Sequence, residues 1–243
     1  MSSGLCSDRG PSDTLAGMQF VLIHGQPVGP ATWRWVAEIL TSAGHGVVVP
    51  DLRHAALSGD AATLVREAVA ACPSDTDVLV GHSGAGLALP AIANSLGAPV
   101  RPQLIFVDAA IPDCEGEARL DPGAVELLRL LSVDGVLPPW CEWFGEGSAE
   151  QMIPNGELRA QVEAELLELP MKLFEETLPV PAGWCGWRCG YLLSSEEMRG
   201  DAERARSLGW LVHEDVGNHL DVVNRAAEVA AHLLQISGRL RRT

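Results

Sequence analysis

The sequence alternates short apolar runs, rich in β-branched residues, with longer segments that have helical periodicity. Six of these runs have the length and composition of buried strands. Because parallel strands need crossover connections and are covered on both faces, this order predicts an α/β fold with a mostly parallel sheet. The predicted strands are 18–25 (MQFVLIHG), 45–52 (HGVVVPDL), 77–83 (DVLVGHS), 102–110 (PQLIFVDAA), 187–194 (WRCGYLLS) and 209–216 (GWLVHEDV).

The alternation is interrupted once, after the fourth predicted strand, where helix-like pieces follow one another and no strand is expected. This segment, residues 113–183, holds 15 acidic and 4 basic side chains, a net charge of -11 in a chain whose net charge is -15. A helical insertion explains both features. We therefore expect a core of residues 18–112 and 184–243, an acidic helical cap of residues 113–183 and a flexible tail of residues 1–17.

The composition and net charge of the chain limit the kinds of molecule that it is expected to bind. No apolar stretch approaches the roughly 20 residues that span a bilayer, and the net charge of -15 disfavours binding to nucleic acid or to anionic membranes. We therefore expect a small-molecule substrate, with no nucleic-acid and no membrane partner. The acidic cap favours neutral or cationic substrates over anionic ones. The oligomeric state stays open.

The six cysteines are scattered and match neither a disulfide framework nor a zinc site. We therefore expect reduced thiols, a cytoplasmic location, and no metal or cofactor. The preference for arginine over lysine, together with abundant alanine and glycine, favours a bacterial source.

Ser83 lies where the third predicted strand ends and the helix-like segment 84–97 begins. Gly81 and Ala85 flank it at a distance of two residues, so the side chains are small where a strand and a helix pass closely. A nucleophile at such a junction adopts strained backbone angles. A serine in this position is either that nucleophile or an ordinary residue of a glycine-rich loop, and the context has to decide.

Two backbone amides are candidates for binding an oxyanion. The first predicted strand ends in HGQP, where a turn would direct the amide of Gln26 toward the group that Ser83 attacks. The amide of Gly84, at the start of the following helix, would provide the second donor.

The order of the ionisable candidates supports the nucleophile. Asp108 ends the fourth predicted strand, and His219 lies between the last predicted strand and the last helix. Serine, acid and histidine follow one another along the chain in the order found in catalytic triads of α/β hydrolases.

The segments HGQPVGPATW, GHSGAG, FVDAAIP and GNHLD resemble those of small, six-stranded α/β hydrolases, the kind that includes plant-type esterases and hydroxynitrile lyases. The resemblance covers residues 18–236. It implies that Ser83 is the nucleophile, that His219 is the general base, and that the amides of Gln26 and Gly84 form the oxyanion hole. It also implies that the cap is a lid.

The resemblance leaves the acid of the triad open. In many relatives the acid follows the strand expected at 187–194, where this sequence offers Glu196 or Glu197. In others it ends the preceding strand, where Asp108 stands. We prefer Asp108 because VDAAIP places an acid directly before the cap, whereas the two glutamates equally suit the first turn of a helix.

A Ser-His-acid site predicts a serine hydrolase that cleaves an ester, thioester or lactone of a small, largely apolar molecule. The same residues could act as a base in a lyase, an epimerase or a cyclase of a biosynthetic intermediate, and the scaffold could also bind a small molecule without catalysis. The expected pocket combines residues of the active-site loops with aromatic residues of the cap: His24, Gly25, His82, Trp140, Trp143 and Trp184.

Overall fold

The computed structural model describes residues 17–97 and 101–242. The flexible tail expected for residues 1–17 lies outside the described residues, except for Gly17. The described strands are β1 (Gln19–Ile23), β2 (Gly46–Val48), β3 (Val78–Ser83), β4 (Gln103–Ala109), β5 (Glu117–Ala118), β6 (Val136–Leu137), β7 (Leu169–Pro170), β8 (Leu178–Pro179), β9 (Cys189–Leu193) and β10 (Leu211–Glu214).

Helices occupy most of the sequence between the strands. The described α-helices are α1 (Arg34–Ser42), α2 (Arg53–Leu57), α3 (Ala61–Ala71), α4 (Leu89–Ser95), α5 (Pro122–Leu131), α6 (Ser148–Met152), α7 (Gly156–Glu163), α8 (Lys172–Glu175), α9 (Arg199–Ser207), α10 (Asp221–Asn224) and α11 (Ala226–Leu240). Short 3₁₀ helices are Pro30–Trp33, Gly84–Ala88, Trp140–Glu142, Trp184–Gly186 and Glu196–Met198.

The main sheet has six parallel strands in the order β10-β9-β4-β3-β1-β2. These strands are the six that the sequence predicts, so the expected α/β fold with a mostly parallel sheet is confirmed. Because side chains alternate between the two faces of a strand, β1 contributes to both layers of the core. Phe20 and Leu22 pack with α1 and α11, whereas Val21 and Ile23 pack with α3, α4 and α9. Both faces of the sheet are therefore covered by helices.

Residues 113–183 follow β4 and lead into β9. They contain α5 to α8 and two antiparallel pairs, β5 with β8 and β6 with β7. The expectation that this segment lacks strands is wrong. Each of these strands is two residues long, which is too short to produce an alternating pattern in the sequence.

Cys114 and Cys185 form a disulfide bond, so the expectation of reduced cysteines is wrong for this pair. The two residues stand 71 positions apart in the sequence, near the beginning and the end of the inserted segment. The spacing of the two cysteines in the sequence did not predict the bond, because they are brought together by the pairing of β4 with β9 in the sheet. Cys72, Cys141 and Cys189 are free thiols, and Cys6 lies outside the described residues.

Within residues 17–97 and 101–242, no helix combines the length and the apolar character needed to cross a membrane.

Candidate active site

Ser83 is the last residue of β3 and lies directly before the 3₁₀ helix that starts at Gly84. Its φ of 59° and ψ of -131° are rarely adopted by a residue with a side chain. The pairing of β3 with β4 shifts at this point, from His82 with Val107 to Ser83 with Ala109. Such strain is found where a structure holds a functional side chain in a fixed position. The turn that the sequence predicts around Ser83 is present.

Small residues around Ser83 allow the strand and the following helix to approach. A Cβ atom on Gly81 would lie 3.0 Å from the side chain of Leu89, and one on Gly86 would lie 2.2 Å from the carbonyl oxygen of Ala110. Ala85 is buried with its methyl group accommodated. Of these positions, the tightest contact falls on Gly86, and position 85 accommodates the methyl group of alanine.

His219 lies between Ser83 and Asp108 and contacts both side chains. Its Nε2 is 3.0 Å from Ser83 Oγ, and its Nδ1 is 2.7 Å from Asp108 Oδ2. With Nδ1 donating its proton to the carboxylate, Nε2 is free to accept the proton of the serine hydroxyl. The structure thus brings together the three residues that the sequence places at separate strand ends.

Asp108 is fully buried, yet its carboxylate accepts several hydrogen bonds. The amides of Ser194 and Ser195 each donate to Oδ1 over 2.8 Å, and the hydroxyl of Ser195 donates to Oδ2 over 2.5 Å. Burial alone would raise the pKa of Asp108. Hydrogen bonds from His219 and Ser195 outweigh burial, so the pKa lies below its ordinary value and the carboxylate is ionised. It is therefore suited to stabilise a positively charged His219.

The alternative acids occupy a different environment. Glu196 is exposed and forms an ion pair with Arg199 over 2.5 Å, and Glu197 is also exposed. Neither glutamate contacts His219. Both lie in the first turn of the 3₁₀ helix that precedes α9, where negative charge suits the helix dipole.

The two residues predicted to supply the oxyanion donors, Gln26 and Gly84, lie in contact and line the same cavity as Ser83. The side-chain amide of Gln26 is 3.4 Å from the carbonyl oxygen of Gly84. The amide of Gly84 opens the 3₁₀ helix and therefore has no partner within that helix. Neither backbone amide donates to another group in the described part of the chain. Both amides therefore remain candidates for the oxyanion hole.

A cavity of about 600 Å³ opens beside Ser83. Its walls are mainly apolar and come from the loops of the core and from residues 113–183. Leucines of α5, Leu173 and the aromatic rings of Trp143, Phe144 and Phe174 supply much of this surface. A site of this size and character suits a small, largely apolar molecule.

Of the six pocket residues expected from the sequence, only Trp143 lines this cavity. Gly25 lies beside Ser83, where an added Cβ would be 3.5 Å from the serine Cβ. Trp140 is buried against the core that contains α1 and α11. Trp184 is fully buried and donates from its indole to the carbonyl oxygen of Asp113. These two tryptophans pack the interior and do not line the cavity.

The two expected pocket histidines hold loops in place instead. His24 donates from Nδ1 to the carbonyl oxygen of Gly25 over 2.9 Å, and its Nε2 accepts from the amide of Leu52 over 3.1 Å. His82 donates from Nε2 to the carbonyl oxygen of His219 over 2.8 Å. Burial lowers the pKa of His24, and it lowers the pKa of His82 to about 3. Both rings are therefore neutral groups that support the site.

Several residues that shape the site were missed from the sequence. Ser194 and Ser195 resemble an ordinary helix start in the sequence, but they bind Asp108 through their amides. Tyr191 donates its hydroxyl to the carbonyl oxygen of Ala109 and accepts from the amide of the same residue. The one signal in the sequence was that Asp108 and Ser194 stand at the ends of consecutive predicted strands. The carboxyl ends of neighbouring parallel strands meet at one edge of the sheet.

No three histidine, cysteine, aspartate or glutamate side chains within residues 17–97 and 101–242 gather closely enough to hold a metal ion.

Known proteins resemble this chain in sequence and in structure. The model of the alpha/beta hydrolase family matches residues 20–232. The carbendazim-hydrolysing esterase of Nocardioides sp. (strain SG-4G) is 33% identical over an alignment of 104 residues, which covers 39% of this chain and 43% of that enzyme. The aligned part thus spans less than half of that relative.

Solved structures with this fold have low sequence identity to the chain. An extracellular α/β-hydrolase from a Paenibacillus species superposes with a TM-score of 0.71 at 18% identity, covering 90% of this chain and 98% of that one. Tomato methylketone synthase I superposes with a TM-score of 0.68 at 16% identity, covering 92% and 99%. At these identities the likeness establishes the fold alone.

Proposed function

Because the chain belongs to the alpha/beta hydrolase family, we propose that this enzyme is a serine hydrolase acting on an ester, thioester or lactone of a small, largely apolar molecule. The observation that carries the proposal is the line of contacts from Ser83 through His219 to Asp108 at the wall of an apolar cavity. The esterase activity in the name of the Nocardioides relative supports the same class of reaction.

The reaction begins when His219 Nε2 takes the proton of Ser83 Oγ as the oxygen attacks the substrate carbonyl carbon. The carbonyl π electrons move to the oxygen, and the amides of Gln26 and Gly84 stabilise the resulting oxyanion. Asp108 stabilises the positively charged imidazole and fixes its tautomer. When the tetrahedral intermediate collapses, His219 gives its proton to the leaving alcohol or thiol.

The second half of the reaction releases the acid and restores Ser83. A water molecule takes the place of the leaving group, and His219 removes its proton as the water oxygen attacks the acyl carbon. The second tetrahedral intermediate uses the same two amides. Its collapse breaks the bond to Ser83 Oγ, which regains a proton from His219.

Residues 113–183 act as a lid in this proposal. They supply the leucine and aromatic wall of the cavity, and the core supplies Ser83 and the two amides. Enclosing the acyl group between these surfaces would remove it from water and position its carbonyl group at Ser83.

A cytoplasmic location and a bacterial source stay predictions. The disulfide bond between Cys114 and Cys185 favours an oxidising compartment instead, because thiols in the cytosol of most organisms are kept reduced.

A fluorophosphonate probe tests whether Ser83 is an activated nucleophile. We expect the probe to modify Ser83, and the modification to disappear in Ser83→Ala. Ser42→Ala is the matched control, because that exposed serine bonds only to its own helix. Modification of a different serine, or ester turnover without any modification, would contradict the proposal. A protein that binds apolar esters but resists the probe would be a binding protein.

Turnover of a short-chain aryl ester separates hydrolysis from lyase, epimerase or cyclase chemistry with the same residues. A hydrolase releases the aryl alcohol and the free acid in equal amounts. Modification of Ser83 without release of either product would favour a function in which the site acts as a base.

A further inference from the structure

Two ionisable side chains line the cavity, and they differ in their partners. Glu176 forms an ion pair with Lys172 over 3.6 Å. Arg119 follows β5 and is exposed, and it has no ion pair or side-chain hydrogen bond with any residue in the described ranges. Of these two, Arg119 is therefore the one whose charged group has no ion-pair partner among the described residues.

An unpaired base is unexpected in this part of the chain. Residues 113–183 hold 15 acidic side chains, and the other three bases of the segment all have carboxylate partners. These are Arg129 with Glu126 and Glu175, Arg159 with Glu150 and Glu163, and Lys172 with Glu176. The fold thus leaves Arg119 free although the segment is rich in carboxylates.

The surroundings of Arg119 indicate what it would bind. A guanidinium group presents a planar set of donors that matches the two oxygens of a carboxylate. Arg119 and Ser83 line the same cavity, and its mainly apolar walls suit an alkyl or aromatic body. A ligand in the cavity could therefore place a reactive carbonyl group at Ser83 and an anionic group at Arg119.

We propose that Arg119 binds a carboxylate of the substrate, so that the enzyme prefers esters carrying a remote carboxylate over their neutral equivalents. This inference rests on the proposed function, because the ester group is assigned to Ser83. It reverses the preference expected from the acidic cap. The field of distant carboxylates fades over a Debye length of about 8 Å at physiological salt, whereas Arg119 contacts the ligand directly.

Calorimetric binding to Ser83→Ala tests the proposal without requiring turnover. The ligands are the monomethyl and dimethyl esters of linear dicarboxylic acids from adipate to sebacate, which differ only in whether the remote carboxylate is free. We expect the monoester of the best-fitting length to bind more tightly than its diester. Adding Arg119→Gln should reduce that ratio of affinities roughly two- to fivefold, the range for exposed charge pairs.

Arg129→Gln in the same Ser83→Ala background is the matched control. It removes the same charge from the same segment, but Arg129 pairs with Glu126 and Glu175 and does not line the cavity. We expect it to preserve the affinity ratio, and we expect Arg119→Lys to retain part of it.

The proposal is overturned if Arg119→Gln leaves the ratio unchanged, if both charge-removing variants lower it equally, or if no monoester binds. Failure of the serine-hydrolase function would look different. The protein with Ser83 intact would then turn over neither ester, while the affinity ratio measured in Ser83→Ala still depended on Arg119.

Discussion

Ser195 contacts both carboxylate oxygens of Asp108. Its amide donates to Oδ1 over 2.8 Å, and its hydroxyl donates to Oδ2 over 2.5 Å. Oδ2 is also the atom that accepts from His219 Nδ1. The carboxylate is therefore oriented toward the imidazole by a residue from the neighbouring strand end.

Ser195→Ala should lower the free energy of unfolding by about 1.5–3 kcal/mol at neutral pH, because it removes a buried hydrogen bond to a charged group. Asp108 has a pKa below its ordinary value of 3.8 in the folded protein. Its ionised form therefore stabilises the fold above that pH, and the contribution is lost as the pH falls through the lower folded value. Urea unfolding should show the difference between parent and variant shrinking below about pH 4.

Ser194→Ala is the control for that experiment. Its buried hydroxyl has no hydrogen-bond partner among the described residues, while the amide that binds Asp108 is retained in the variant. Equal losses of stability in Ser194→Ala and Ser195→Ala would show that the hydroxyl contact to Asp108 contributes nothing.

Asp108→Asn should reduce turnover of a short-chain aryl ester by about ten-thousandfold, because an amide favours the wrong tautomer of His219. Glu196→Gln and Glu197→Gln should stay within about tenfold of the parent, which corresponds to less than about 1.4 kcal/mol. Steady-state kinetics on variants with parental melting temperatures provides the comparison. An active Asp108→Asn beside an inactive Glu196→Gln would move the acid to the later strand.

Gly86→Ala should destabilise the fold by roughly 1–3 kcal/mol, because the new methyl group has no room against the backbone of Ala110. Gly200 lies in α9, and a Cβ atom added there would have nothing within 4 Å. Gly200→Ala should therefore be neutral or slightly stabilising. Urea midpoints of the two variants give the test, and equal midpoints would mean that the close approach at Gly86 is not tight in solution.

Replacing both Cys114 and Cys185 with serine should lower the free energy of unfolding by about 4 kcal/mol, on the chain-entropy estimate for a closed loop of this length. The bond joins residues 71 positions apart, so the unfolded chain gains much freedom when it is absent. Thermal melting with and without a thiol reductant measures the effect. The parent should respond to the reductant and the double variant should not. A parent that is insensitive to the reductant would contradict the role assigned to the bond.

The sequence predicted the sheet because the signal of each strand is local. Residues 77–83 were expected as a strand and form Val78–Ser83. The length of the edge strand β2 was overestimated. The predicted strand 45–52 contains only Gly46–Val48, because an edge strand can pair with a neighbour on one side only. The expected helix 84–97 begins as a 3₁₀ turn before α4. The junction between strand and helix at Ser83 is too tight for a regular α-helix to begin there.

Chain order and strand ends predict that Ser83 and His219 lie close together, and the structure places their side chains in contact. The preference for Asp108 over Glu196 also agrees with the contacts of His219. The walls of the cavity were not predictable, because they depend on how residues 113–183 pack over the core. Trp184 illustrates the difficulty, since its indole serves a backbone carbonyl in the interior rather than a ligand.

Turnover of a short-chain aryl ester by Ser83→Ala, His219→Ala and the double variant tests the central claim most directly. Triad residues act as a unit, so each single variant should lose roughly 10⁴- to 10⁶-fold in kcat. The kcat of the double variant should be within about tenfold of that of the less active single variant. Melting temperatures establish that all variants are folded. Parental turnover in folded Ser83→Ala or His219→Ala would contradict the account.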